Sequence, residues 1–307
     1  MQYEGQICRS PMERGAFMLP VTVGCAYNQC RFCTLFKHLS FRVLPTAQIE
    51  QELCRVQQMG GQPKRIFLGD GSAFQLEAGA LAEILRHIRT YFPYGPSVRM
   101  DATVTSIAQK TDAELAFLHE LGVEQVYLGI ESGLADVLQF MHKDHSPQQA
   151  KEQISRLHRA GIDYAAHIMT GVAGKGRGAE NARATADFLN RTKPVSVTNF
   201  SMFLHRQAPL QSEIECGRFS PADELENLQE ARLLISQLEQ NPLLFEGFHD
   251  MLSLRVRGTL PRDREKLLSQ LDQAIVAQQG KPPVYAWIGE GFVGAFTPCS
   301  CRIEKQA

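Results

Sequence analysis

The sequence lacks several features that would define whole classes of protein. No apolar run approaches the roughly 18 residues that a membrane-spanning helix needs. The first residues, Met1-Gln2-Tyr3-Glu4, lack the basic and then apolar pattern of a signal peptide, so we expect a cytoplasmic protein. The formal net charge of −1 gives no bulk attraction to nucleic acid or to an anionic membrane. The sequence therefore predicts neither a membrane nor a nucleic-acid partner.

The sequence also lacks internal repeats, low-complexity segments and a complete phosphate-binding motif. The glycine-rich stretch Gly174–Gly178 has neither the GK[ST] ending of a P-loop nor the GxGxxG spacing. What remains is a chain of 307 residues, 44% hydrophobic and 21% charged, which is typical of a globular protein with one large domain or two ordinary ones. Eight cysteines in a reduced compartment favour metal or redox chemistry over a disulfide framework.

Predicted strands and helices alternate along the first two thirds of the chain. Capping boxes beginning at Thr111 and Ser146 start two of the helices, and Thr46 is a candidate cap for an earlier one. The alternation favours a parallel sheet with right-handed crossovers, as a doubly wound open sheet or as a barrel. Polar residues after nearly every strand favour the barrel. The predicted strands are 19–23, 65–68, 97–102, 125–128, 162–169 and 195–203.

The predicted fold is α/β, a partial (β/α)6 TIM-like barrel over residues 1–205 with a helical C-terminal extension over 206–307. The extension is either a separate domain or a cover over the barrel mouth.

Three cysteines, Cys25, Cys30 and Cys33, follow the first predicted strand with the spacing C-x4-C-x2-C. Closely spaced thiolates on a loop are the ligands of iron–sulfur clusters. Three ligands on a four-iron cluster would leave one iron open to a substrate or cofactor. A zinc site and buried structural cysteines are the alternatives.

The strand, the cysteine loop and Phe32 before its last cysteine resemble the cluster loop of the radical S-adenosylmethionine (SAM) superfamily. The motif Gly-Cys-Ala-Tyr-Asn-Gln-Cys-Arg-Phe-Cys is similar to that of a subgroup in which the first gap is one residue longer than in the common C-x3-C-x2-C spacing. The resemblance extends from about Ile7 to about Gln279. It implies a [4Fe-4S] cluster held by Cys25, Cys30 and Cys33, with SAM on the open iron. The resulting chemistry is oxygen-sensitive, and its reductant would be a flavodoxin or ferredoxin.

The same resemblance assigns SAM contacts to residues at the ends of later strands. Gly69-Asp70-Gly71 matches an acidic motif that meets the SAM ammonium group, and its glycines allow close backbone approach. Glu131-Ser132 would contact the ribose or the amino-acid part, and Lys143 the carboxylate. Gly171 lies in the motif that packs against adenine, and Met202 would close that pocket. Each assignment has a structural alternative. Gly69-Asp70-Gly71 could be an ordinary turn and Glu131 an acid favoured by a helix N-terminus. Lys143 could be a solvated lysine, and Met202 could simply pack in the core.

The tail carries a second cysteine pair, Cys299 and Cys301, with several interpretations. It could ligate an auxiliary cluster together with Cys8 or Cys216, donate hydrogen to a product radical, or consist of two free thiols.

The resulting functional prediction is a radical SAM enzyme that acts on an unidentified small molecule or peptide. Weak similarity to oxygen-independent coproporphyrinogen oxidases suggests porphyrin chemistry as a further possibility. An RNA base is another possible substrate, but the absence of a basic RNA-binding module counts against it. The alternative from another class is a non-catalytic iron–sulfur or zinc protein, an electron carrier or an assembly factor.

Overall fold

The computed structural model describes residues 8–239 and 242–288. The pair Cys299 and Cys301 lies outside these ranges. None of the helices in the described part is long and apolar enough to cross a membrane.

The helices and strands alternate as the sequence predicts, and short 3-10 helices occur at Pro11–Glu13, Ala73–Gln75 and Asp250–Leu252. In chain order the strands and α-helices are β1 (Phe17–Pro20), β2 (Thr22–Val23), β3 (Arg42–Val43), α1 (Thr46–Gln58), β4 (Arg65–Gly69), α2 (Ala78–Tyr91), β5 (Ser97–Ala102), α3 (Val104–Ala108), α4 (Asp112–Glu120), β6 (Val123–Glu131), α5 (Ala135–Phe140), α6 (Pro147–Arg159), β7 (Asp163–Thr170), α7 (Gly178–Thr192), β8 (Ser196–Ser201), β9 (Leu204–His205), α8 (Leu210–Glu215), α9 (Glu224–Gln237), β10 (Leu243–His249), β11 (Leu254–Leu260), α10 (Arg264–Gln278) and β12 (Trp287–Ile288).

The main sheet has eight strands in the linear order β1-β4-β5-β6-β7-β8-β10-β11. The pairs β1·β4, β4·β5, β5·β6, β7·β8 and β8·β10 are parallel, and β10·β11 is antiparallel. The α/β prediction with a mostly parallel sheet is therefore confirmed. The linear order over the described residues agrees with a partial rather than a closed barrel.

The chain forms two compact units. Within the described residues, the first unit comprises 8–28, 35–128 and 152–164. Its strand β4 is a continuous apolar run in which Ile66, Phe67 and Leu68 are all fully buried, as expected for a parallel strand covered on both faces. Helix α2 buries the predicted apolar stripe Leu81, Ile84, Leu85 and Ile88.

Within the same described ranges, the second unit comprises 29–34, 129–151, 165–239 and 242–288. Here α7, α9 and α10 accompany the strands, which confirms helices in the C-terminal region. The strands β10 and β11 were not predicted. Charged residues such as Glu246 and Arg257 alternate with apolar ones there, the pattern of an antiparallel strand at a sheet margin.

The two capping boxes have the predicted geometry. The Thr111 hydroxyl accepts a hydrogen bond from the backbone N–H of Glu114, and the Glu114 carboxylate accepts one from the backbone N–H of Thr111. Ser146 and Gln149 form the same pair of bonds. The prediction that Thr46 caps α1 is wrong, because Thr46 is the first helical residue and Pro45 occupies the N-cap position without a side-chain bond. Pro45 has the fixed φ of an extended residue, which suits a position just outside a helix.

We expect Phe245→Ala to lower the free energy of unfolding by about 3–5 kcal/mol, because this fully buried side chain lies on β10 and its loss leaves a cavity. Val276→Ala is the matched control, since Val276 on α10 is 68% exposed and its truncation should change stability by less than about 0.5 kcal/mol. Urea unfolding measures both. Equal, small effects would contradict the placement of β10 in the buried sheet.

Candidate active site

The cysteine loop begins where β2 ends. Gly24, which follows the strand, has φ +82°, a left-handed conformation that glycine adopts without strain. Cys25, Cys30 and Cys33 are each half-buried, and none of them is in a disulfide bond. The backbone N–H of Asn28 lies 3.5 Å from Cys25 Sγ and donates to it.

The residues present fit an iron–sulfur cluster in their chemistry. Thiolates are the soft ligands that iron–sulfur clusters require, and these three cysteines lie on one loop and form no disulfide. No group of three or more His, Cys, Asp or Glu side chains within the described ranges is gathered closely enough to hold a single metal ion. Such ligands commonly assemble only when the metal group binds.

Gly71 packs its backbone directly against the start of the cysteine loop. A Cβ atom on Gly71 would lie 1.9 Å from the carbonyl oxygen of Gly24, and the φ of Gly71 is +79°. Both the contact and the backbone angle therefore require glycine at this position. The predicted close approach at Gly69-Asp70-Gly71 is thus made to the chain itself, next to Cys25.

Asp70 is buried with one carboxylate oxygen unsatisfied. Its Oδ1 accepts a 2.9 Å bond from the backbone N–H of Cys8, while Oδ2 has no partner among the described residues. Its backbone is fixed by Thr22, whose hydroxyl donates to the Asp70 carbonyl at 2.6 Å. Burial raises the pKa of Asp70 to about 6, against the lowering effect of the bonds from Cys8 and Gly71. An additional donor at Oδ2, such as an ammonium group, would satisfy this carboxylate.

In the second unit, the segment 29–34 is held by backbone bonds on both sides. The N–H of Arg31 donates to Met141 O at 3.0 Å, and its carbonyl accepts from Leu210 N at 2.9 Å. The Arg31 guanidinium lies 4.8 Å from the centroid of the Phe140 ring, a cation–π contact. These contacts fix the chain that carries Cys30 and Cys33.

Phe32 and Met202, two predicted site residues, belong to one apolar cluster of the second unit. Met202 is 4% exposed and the half-buried Phe32 packs against this cluster. Phe140 and Phe219 stack within it with their centroids 5.8 Å apart. Flat apolar surfaces of this kind suit a heteroaromatic ring such as adenine.

Glu131 and Lys143 form a nearly buried ion pair. Their Oε1 and Nζ atoms are 3.2 Å apart. Glu131 has φ +61°, a strained conformation for a residue with a side chain and one that concentrates at functional sites. Burial lowers the pKa of Lys143, but the negative charges of Glu131 and Cys30 raise it more, so that its pKa lies well above the usual range. The cation therefore remains charged beside a predicted cluster ligand.

Ser132 and Gly171 are joined by a buried network of polar side chains. Ser132 Oγ donates to Asn181 Oδ1 at 2.5 Å, and Asn181 Nδ2 donates to Glu230 Oε1 at 2.6 Å. The other oxygen of Glu230 accepts from Gly171 N at 2.9 Å. The loops after β6 and β7, both predicted to contact SAM, are thus tied to helix α9.

Sequence reasoning missed Asn181, Glu230 and Asp101. Glu230 and Asn181 lie inside helical patterns, where a polar residue resembles a solvated one until its burial is known. Asp101 could have been found, because it is an acid at an alternate position of the buried strand β5.

The structure places the predicted site residues in two groups. Cys25 and Gly69-Asp70-Gly71 lie in the first unit. The second unit contains Phe32 with Met202, the pair Glu131 and Lys143 beside Cys30, and the Ser132–Gly171 network, besides Cys33. Their roles toward a cluster and SAM remain predictions.

We expect Gly71→Ala to lower the free energy of unfolding by at least about 2 kcal/mol, through left-handed strain and the clash with Gly24. Gly79→Ala is the matched control, because nothing lies within 4 Å of its added methyl group on helix α2, and alanine should stabilise there. Urea unfolding of both variants decides, and equal stabilities would refute the required contact.

We expect Glu230→Gln to flatten the pH dependence of stability between about pH 4.5 and 7. Burial raises the pKa of Glu230 to about 7. The folded protein therefore binds more protons than the unfolded chain in this window, and wild-type stability falls as pH rises through it, by on the order of 3 kcal/mol. Thermal unfolding against pH measures the effect, and Glu239→Gln, an exposed acid, is the control. Parallel pH profiles for wild type and Glu230→Gln would contradict the assignment.

Comparison with known proteins places this arrangement in a family. Residues 19–189 match the model of the radical SAM superfamily, which is more than half of the chain. A search of curated proteins found no significant sequence relative.

Several solved structures share the fold at low sequence identity. Methylornithine synthase (PylB) has a TM-score of 0.54 and 15% identity, over 94% of this chain and 73% of that one. Elp3 from the archaeon Methanocaldococcus infernus has a TM-score of 0.53 and 13% identity, over 85% of this chain and 63% of that one. Coproporphyrinogen III oxidase (HemN) from Escherichia coli has a TM-score of 0.53 and 14% identity, over 72% of this chain and 52% of that one. The family match, together with this shared fold, shows that the chain belongs to the radical SAM superfamily.

Proposed function

We propose that this protein is an enzyme that binds a [4Fe-4S] cluster through Cys25, Cys30 and Cys33 and uses it to cleave SAM reductively. The observation that carries the proposal is the family match over residues 19–189, which includes the whole cysteine loop. When bound and reduced by one electron, the cluster would break the C5′–S bond of SAM to give methionine and a 5′-deoxyadenosyl radical, which abstracts hydrogen from a substrate.

In this proposal the chain's own residues orient SAM at three points. The unsatisfied Oδ2 of Asp70 accepts a hydrogen bond from the ammonium group. Lys143, charged and beside Cys30, binds the carboxylate while keeping its contact with Glu131. Glu131 carries a second oxygen that can accept from the ribose hydroxyls.

The apolar cluster around Phe32 and Met202 would receive adenine and exclude water from the reacting bond. The hydrogen bonds of Asn181 and Glu230 would keep these contacts in place, since they hold the loops that carry Ser132 and Gly171. The substrate in this proposal is a small molecule or peptide, and the electron comes from a flavodoxin or ferredoxin.

We expect each of Cys25→Ala, Cys30→Ala and Cys33→Ala to lose cluster binding, because a three-thiolate site with one ligand missing cannot hold the cluster tightly. Cys54→Ala is the matched control, because Cys54 is half-buried on helix α1, outside the cysteine loop, and forms no disulfide. After anaerobic reconstitution, wild type and Cys54→Ala should contain about four irons per chain. Unchanged iron in a loop variant would refute the ligand assignment.

Dithionite reduction of the reconstituted protein in the presence of SAM tests the activity itself. Formation of 5′-deoxyadenosine by wild type and Cys54→Ala, but not by the loop variants, supports the proposal. An intact cluster that yields no SAM cleavage product would favour a non-catalytic iron–sulfur protein, and bound zinc in place of iron would favour a zinc protein.

A further inference from the structure

Asp101 is a carboxylate without a counter-charge on the face of β5 that also carries Arg99. It lies on β5 in register with Tyr127 of β6, and its neighbour Met100 is in register with Leu68 of β4. Arg99, two residues earlier on the same face, contacts Glu13. Asp101 is half-buried and forms no hydrogen bond or ion pair with any residue that the structure describes.

The groups around Asp101 add negative charge. Asp70 follows the neighbouring strand β4, and Glu13 is fully buried with its Oε1 bound by Tyr127 OH at 2.6 Å. Asp70 keeps one buried oxygen, Oδ2, without a hydrogen-bond partner in the described chain, whereas Glu13 Oε2 lies 3.9 Å from Arg65 Nε in an ion pair. Burying a carboxylate oxygen without a donor is costly, so Asp70 Oδ2 marks a place for one.

Two bases near these acids, Arg99 and Arg65, are already engaged, and Arg65 Nε lies 3.9 Å from Glu13 Oε2. Arg99 donates to Glu13 Oε1 at 3.0 Å and to Glu124 Oε2 at 3.2 Å, so its charge offsets those two acids. Asp70 and Asp101 are left uncompensated. In agreement with this, burial and the charges of Asp70 and Glu13 raise the pKa of Asp101 to about 8.

We propose that Asp101 binds a positively charged ammonium group of the substrate, and that the substrate is therefore an amine-bearing small molecule or peptide lying against the face of β5 that carries Asp101. The inference rests on the proposed function, which assigns Asp70 to the SAM ammonium. Asp101 lies on β5, the strand next to β4, and neighbouring strands of a sheet are about 4.8 Å apart. In the register of the two strands, Asp101 is one position nearer the start of the strand than the residue level with Asp70. The two carboxylates are thus placed for two cations rather than one.

The site would select for charge as well as size. A primary ammonium offers three donors, enough for Asp101 and a further acceptor, while a neutral isostere leaves the carboxylates uncompensated. In the low-dielectric interior the ion pair is stronger than in water. An amine would therefore bind better than the alcohol of the same shape.

The test is thermal unfolding of reconstituted wild type, Asp101→Asn and Asp70→Asn with n-butylamine, with 1-butanol at equal concentration, and with SAM. Asp101→Asn should melt at a higher temperature than wild type without ligand, because it removes an acid whose charged form is disfavoured by burial and by the charges of Asp70 and Glu13. n-Butylamine should raise the wild-type midpoint by about 2 °C and leave Asp101→Asn unchanged, and 1-butanol should shift neither. SAM should stabilise Asp101→Asn more than Asp70→Asn.

Asp163→Asn, which alters an exposed aspartate at the start of β7, is the control and should respond to n-butylamine as wild type does. Equal amine shifts in wild type and Asp101→Asn would overturn the proposal. A loss of SAM stabilisation in Asp101→Asn as large as that in Asp70→Asn would instead assign Asp101 to SAM. Because amine binding is read without turnover, failure of SAM cleavage would refute the proposed function separately.

Discussion

The backbone contact between Gly71 and Gly24 is the constraint on which the candidate site depends. It joins the turn after β4 to the start of the cysteine loop at a distance that no side chain could occupy. Asp70 is consequently fixed beside the loop with one oxygen held by Cys8 and the other open. A side chain at Gly71 would push the turn that carries Asp70 away from the start of the cysteine loop.

Charged groups buried close to the predicted cofactor residues follow one physical rule in both units. A buried charge must be paired, and where pairing is incomplete the missing partner identifies the ligand. Lys143 and Glu131 pair with one another, and Glu230 is satisfied by Asn181 and Gly171. Asp70 keeps Oδ2 without a hydrogen-bond partner, and Asp101 forms no hydrogen bond or ion pair with a described residue, which is why we propose a cation for each.

Local patterns could be predicted from the sequence, and contacts distant along the chain could not. The capping box at Thr111 and the cysteine loop are decided within a few residues, so their spacing suffices. Strands β10 and β11 were missed because their alternation of charge and apolar residues resembles a surface segment until the sheet beside it is known. The role of Glu230 depends on two loops about 59 and 98 residues away in sequence, which no local pattern encodes.

The antiparallel strand β11 ends the described sheet, and its sequence bears on how copies of the protein behave at high concentration. An edge strand presents unpaired N–H and C=O groups that can pair with the same strand of another molecule. Arg255 and Arg257 are exposed on β11, on either side of Val256. Two such strands pairing antiparallel about Val256 would bring arginine opposite arginine, so charge repulsion at this margin opposes aggregation.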